Sequence, residues 1–213
     1  MRQAAISFRS KRLTLDGVIS TPGQSDDEPG ALVVCHSHPT LGGDMTDAVV
    51  MAICEAADSV GMATLRFNFR GVGDSEGQFT NGDEEGHDVK AAVDTIRRWP
   101  GIDGRRVAIA GYSLGAAIIL DNLKRLKQAR AIVVVAPTVE SLKNPKFAGD
   151  ERPRLVVAGQ NDKVAPSLAI QRELDSASQP LRFAEMLDAD HSMRGHESMV
   201  GDLVAEFVAG ALA

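Results

Sequence analysis

Short, almost uninterrupted apolar runs recur along this chain, and between them lie longer segments whose apolar residues fall at helical spacing. Ala31–His36, Met62–Phe69, Arg106–Ala110, Arg130–Ala136, Leu155–Ala158 and Leu181–Met186 read as strands. The continuous apolar character of Ala31–His36 is what a strand covered on both faces requires. Thr46–Ser59, Asp83–Arg98, Leu114–Lys127, Pro166–Ala177 and His196–Leu212 read as helices. Gly61 and the Trp99-Pro100-Gly101 stop punctuate the first two, and Pro166 suits a first helical turn. Such alternation implies βα units, hence an α/β fold with a mostly parallel sheet and helices on both faces. Upstream, Ile6–Arg9 and Lys11–Thr21 read as an antiparallel hairpin, closed by Thr21-Pro22-Gly23 and the polar run Gln24–Gly30. The stretch from Pro137 to Glu151 shows no clear period and is too short to hold a lid domain. Connections are short and no repeat is present, so one domain is expected over residues 1–213. A chain of that length buries roughly 70% of its unfolded surface without disulfide or metal support.

Several function classes fall away. The longest apolar stretches (Ala31–Cys35, Ala116–Leu120 and Ala131–Pro137) are far short of the ~20 residues of a membrane span, so no membrane association is expected. A net charge of −6 argues against a nucleic-acid partner. The sole basic cluster, Lys124-Arg125-Leu126-Lys127 with Arg130, is expected at a helix C-terminus, where cations suit the dipole. The first residues carry no apolar signal core, and Cys35 and Cys54 sit in apolar segments without C-x-x-C spacing. Both features lead to the expectation of a cytoplasmic protein with buried free thiols.

In open α/β sheets, ligands bind beyond the carboxyl ends of the strands. Gly111-Tyr112-Ser113-Leu114-Gly115 stands at such an end, a G-x-S-x-G sequence between a strand and a helix. That is the setting of a nucleophile elbow, with Ser113 raised above the sheet on a sharp turn. A serine hydroxyl needs a base oriented by an acid, and on this chemistry both follow the serine at later strand ends. Asp162, after Leu155–Ala158, is the acid, and His191, after Leu181–Met186, is the base. Asp188 and Asp190 are the alternative acids, less suited because they lie so near His191 in sequence.

Acyl transfer also needs two N–H donors for the developing oxyanion. The first is the backbone N–H of Leu114. The second comes from the loop Cys35–Gly43, where Pro39 is excluded for want of an N–H. His38 is favoured by position, with Thr40 and Leu41 open. His36 and His38 precede the nucleophile, His87 lies within a helix and His196 opens the last one, so none competes with His191 as the base. No further ligand motif accompanies the His36/His38 pair, so no metal site is expected. Gly71-Val72-Gly73-Asp74-Ser75-Glu76-Gly77 has its third glycine one position late for a dinucleotide loop and reads as a structural turn.

With these residues in place, the chain resembles the α/β-hydrolase superfamily. Within it, the chain is most similar to small, lidless bacterial hydrolases carrying an H-x-H-P-x-x-G-G-x-M loop and an R-F-N-F-R-G-x-G-x-S-x-G segment. Here these are His36–Met45 and Arg66–Gly77. The resemblance covers nearly the whole chain and implies a serine hydrolase of carboxylesterase type. The related dienelactone hydrolases use a cysteine where this chain has Ser113, and the aromatic residues usual after the histidine are replaced by Ser192-Met193-Arg194.

The expected activity is cleavage of a small acyl ester or thioester through an acyl-enzyme on Ser113, with no cofactor and no metal. Peptidase and perhydrolase activities are the catalytic alternatives. A non-catalytic ligand-binding module is the rival from another class. A homodimer is the base-rate expectation for assembly.

Overall fold

A computed structural model describes residues 2–23 and 28–213. Met1 and Gln24–Asp27, part of the polar run expected to close the first hairpin, lie outside the described residues. Eight strands form one sheet: β1 (Arg2–Ser10), β2 (Leu13–Thr21), β3 (Ala31–Cys35), β4 (Ala63–Phe67), β5 (Val107–Tyr112), β6 (Ala131–Val135), β7 (Arg154–Gly159) and β8 (Leu181–Met186). Their order across the sheet is β1-β2-β4-β3-β5-β6-β7-β8. From β4 to β8 all neighbours are parallel. β1 pairs antiparallel with β2, and β2 antiparallel with β4, so the hairpin extends the sheet, with β1 at one edge and β8 at the other.

The helices are α1 (Ala48–Ser59), α2 (Glu85–Ile96), α3 (Leu114–Asp121), α4 (Val139–Leu142), α5 (Pro145–Ala148), α6 (Ser167–Leu174) and α7 (Glu197–Leu212). Strand residues alternate between two cores. Val33, Ile109, Val134 and Val156 meet α2, α3 and α6 on one face. Leu32, Ala108, Val133 and Leu155 meet α1 and α7 on the other. Every residue of β3, β5, β6 and β7 is buried, which explains their unbroken apolar runs.

One helix differs from expectation. Leu114–Lys127 was the predicted span, but α3 stops at Asp121. Asn122 ends it by turning back on the helix, its Nδ2 donating to the Ile118 carbonyl at 2.9 Å and its N–H to that of Ile119 at 3.1 Å. Successive turns follow, closed by Arg125 N–H on Asn122 O, Leu126 N–H on Leu123 O and Ala129 N–H on Leu126 O. These turns bury Leu123, Leu126 and Ala129 at the same three-residue spacing a helix would use. The Lys124–Lys127 cluster therefore lies in turns, not at a helix C-terminus. The stretch without a clear period resolves into the two one-turn helices α4 and α5. Among the described residues no helix is long and apolar enough to cross a membrane.

Candidate active site

β5 runs directly into Ser113, whose φ of 52° and ψ of −108° lie in a region that L-residues avoid. Such a conformation costs of order 1–3 kcal/mol and persists only where the surroundings enforce it. The enforcing contacts are backbone to backbone. A Cβ on Gly111 would stand 2.5 Å from the backbone of Gly115, and one on Gly115 would stand 2.6 Å from the Cys35 carbonyl oxygen. The two glycines thus let α3 begin against the ends of β5 and β3. The Ser113 N–H donates to the Val135 carbonyl at 2.9 Å, which pins the elbow to β6.

The three sequence-predicted side chains come together. Ser113 Oγ lies 3.0 Å from His191 Nε2. His191 Nδ1 lies 2.7 Å from Asp162 Oδ2. Asp162 is buried, and its other oxygen accepts the N–H groups of Val164 and Ala165, both at 2.8 Å. The carboxylate therefore closes the turn before α6 and orients the histidine at once. The loop bearing His191 is tied down on both sides. Asn161 N–H donates to Ala189 O at 2.8 Å, and the buried Tyr112 hydroxyl donates to His191 O at 3.2 Å. The alternative acids are not the partners of the ring. Asp190 instead accepts the Ser192 N–H at 2.9 Å.

Leu114 is the first residue of α3, so its N–H has no intrahelical acceptor. Cys35 pairs with Gly111 across β3 and β5, so the His36–Gly43 loop starts beside the elbow. Within that loop the Thr40 N–H donates to His38 Nδ1 at 3.3 Å, the Leu41 N–H to His38 O at 3.0 Å, and the Gly43 N–H to His38 O at 3.1 Å. The His38 N–H has no acceptor among the described residues.

His36 is fully buried and held in one neutral tautomer. Its Nδ1–H donates to Ser37 O at 2.7 Å, and its Nε2 accepts the Phe69 N–H at 3.1 Å. Burial pushes its pKa down. Arg66–Gly77 serves as a brace. Asn68 Oδ1 accepts the Met45 N–H at 2.8 Å, and the buried Arg70 guanidinium is clamped by Asp88 at 2.8 and 2.9 Å. Cys35 and Cys54 are buried free thiols, and burial raises the pKa of both, that of Cys54 to about 12. His87 lies in α2, His38 Nε2 is 3.3 Å from Asn81 Oδ1, and His196 precedes α7 with its Nδ1 on Arg194 O, so none approaches Ser113 as a base.

Sequence reasoning missed Tyr112 and the part played by His36. Tyr112 is the chain's sole tyrosine and occupies a variable position of the G-x-S-x-G sequence. Strand alternation there, with Ala108 and Ala110 facing α1 and α7, is the signal that would have placed it beneath the His191 loop.

The family described as serine aminopeptidase, S33, matches residues 30–211. The chain belongs to this family. Its architecture agrees with that of an α/β serine hydrolase homologue from Coxiella burnetii, with 30% identity, a TM-score of 0.84 and 97% coverage of each chain. It agrees also with a serine hydrolase without a lid from Xanthomonas campestris, with 26% identity, a TM-score of 0.82, and coverage of 100% of this chain and 96% of that one. Est1E from Butyrivibrio proteoclasticus, solved with ferulic acid bound, shares the fold at 16% identity and a TM-score of 0.82, covering 97% and 99% of the two chains. The chain is an α/β serine hydrolase by family and fold. It spans 59% to 66% of the length of the first curated relatives it matches.

Proposed function

We propose that this chain hydrolyses small carboxylic esters, or thioesters, through an acyl-enzyme on Ser113. The observation that carries the reading is the unbroken relay from Ser113 Oγ through His191 to Asp162, with contacts of 3.0 and 2.7 Å. Ser113 Oγ attacks the carbonyl carbon while His191 Nε2 takes its proton. Asp162 holds Nδ1–H and stabilises the histidinium. Collapse of the tetrahedral adduct expels the alcohol, which takes the proton from Nε2. Water then enters, gives its proton to His191 and releases the acid from Ser113. The chemistry uses only side chains, backbone amides and water.

The N–H groups of Leu114 and His38 are the oxyanion donors in this reading. The free N–H of His38 supports its choice over Thr40 and Leu41, whose N–H groups are already committed. His36 acts as a positioning residue. In a trans peptide the carbonyl and the next N–H point in opposite directions. By holding Ser37 O, the His36 ring sets where the His38 N–H points.

A peptidase is the second reading, favoured by the description of the matched family. The two are separated by the rates on p-nitrophenyl butyrate and on aminoacyl p-nitroanilides. Ester turnover at least a hundredfold above that of any anilide is expected. Faster anilide cleavage would overturn the esterase reading in favour of the peptidase.

A further inference from the structure

His191 stands midway along the short segment between the end of β8 at Met186 and the start of α7 at Glu197. Ala189 and Met193, two residues to either side of it, are fully buried in the apolar cluster beneath α1 and α7. Met193 reaches that cluster with a φ of 53°, a left-handed conformation that residues with a Cβ rarely adopt. The segment is therefore an arch with two buried feet and His191 at its crown. The ring of Tyr112, which is 6% exposed, belongs to the same cluster. Its hydroxyl donates to the His191 carbonyl at 3.2 Å, while the His191 N–H has no acceptor among the described residues. Among those residues, Tyr112 thus makes the one hydrogen bond to the His191 backbone.

Tyr112 is also the last residue of β5, directly before Ser113. Its backbone carries the elbow, and its hydroxyl holds the crown of the arch. β5 is fixed between β3 and β6, so the base of this support does not move. The aromatic ring is rigid and leaves little slack between elbow and arch. Asp162 acts at a different point, meeting Nδ1 at 2.7 Å and setting how the imidazole is turned. Ring orientation and backbone height are separate requirements for bringing Nε2 to 3.0 Å from Ser113 Oγ. A phenylalanine would bury the same ring with no polar group to desolvate, so packing alone does not account for the hydroxyl.

We propose that Tyr112 is a positioning residue of the reaction, its hydroxyl fixing the height of the His191 backbone over the elbow so that Nε2 meets Ser113 Oγ. The proposal rests on Ser113 being the nucleophile and His191 the base. Without the hydroxyl, the His191 carbonyl is left to find its partner in water, and the arch loses the contact that ties its crown to β5.

The test is Tyr112→Phe, assayed by turnover of p-nitrophenyl butyrate and by the rate of fluorophosphonate labelling, with urea unfolding to follow the fold. Misplacing a reacting group by about 1 Å costs on the order of a hundredfold in rate, and an arch released at its crown but held at both feet is expected to lose about tenfold. kcat and the labelling rate are expected to fall together by that factor, with KM within about twofold of the parent. In a His191→Ala background the same substitution is expected to change the residual ester turnover by less than about twofold, because the base through which it acts is gone. A merely structural role would lower the urea midpoint and leave kcat and labelling at the parent's values. A labelled parent whose Tyr112→Phe form keeps the parental kcat or labelling rate overturns the role of Tyr112 alone, as does an equal loss with and without His191. A folded parent that does not label overturns the nucleophile assignment, and the role of Tyr112 with it.

Discussion

Asp162 and His36 show how single side chains at this site each answer to two partners. One oxygen of Asp162 serves the turn before α6 and the other serves His191, so its proposed acid role and its capping role coincide. His36 accepts one backbone N–H and donates to one carbonyl, an arrangement available only to the neutral ring. Its folded-state pKa lies below the ordinary value of 6.5 because of burial. Between that lowered value and about 6.5 the unfolded chain binds a proton that the folded chain excludes, so stability rises with pH across this window and levels off above it. Urea unfolding from pH 5 to pH 8 is expected to show this rise, with a smaller slope in His36→Gln. An equal slope in both would remove His36 as its source. Ser113, Asp162 and His191, the proposed nucleophile, acid and base, were legible as residues because each closes a strand read directly from the sequence. Tyr112 and His36 were not, since their contacts depend on which loops the sheet register sets side by side.

At the scale of elements, α3 holds the lesson of the chain. Its start is dictated by glycine, because Gly111 and Gly115 remove side chains that would collide with backbone. Gly115→Ala is expected to destabilise the protein by about 1–3 kcal/mol, the usual effect of forcing atoms into filled space. Gly210→Ala in α7, where a Cβ would meet nothing within 4 Å, is expected to stabilise it by about 0.4–1 kcal/mol. Urea midpoints compare the two, and similar shifts would contradict the close packing assigned to Gly115. The end of α3 was misread because the turns from Asn122 to Ala129 bury Leu123 and Leu126 at a spacing that mimics helix. Periodicity reports which residues face the core, and here side-chain capping by Asn122 decides where the helix stops.

For the whole molecule, the sheet concentrates chemistry at one edge. Ser113, Asp162 and His191 follow β5, β7 and β8, and the His36–Gly43 loop follows β3. Of the exposed large hydrophobic residues, Leu41, Val164, Leu168 and Leu187 lie on the same side, on or just beyond the segments that follow β3, β7 and β8. Apolar surface beside the relay is consistent with a substrate that has a carbon body and a reactive carbonyl. The α/β alternation and the serine–acid–histidine order made this architecture legible, whereas α4 and α5 arise from a stretch that has no readable period. The most direct measurement is labelling with a fluorophosphonate probe of the parent, Ser113→Ala and His191→Ala proteins. Labelling of the parent that both substitutions abolish is the predicted result. A folded parent that resists the probe, or one whose label survives Ser113→Ala, would contradict Ser113 as the activated nucleophile.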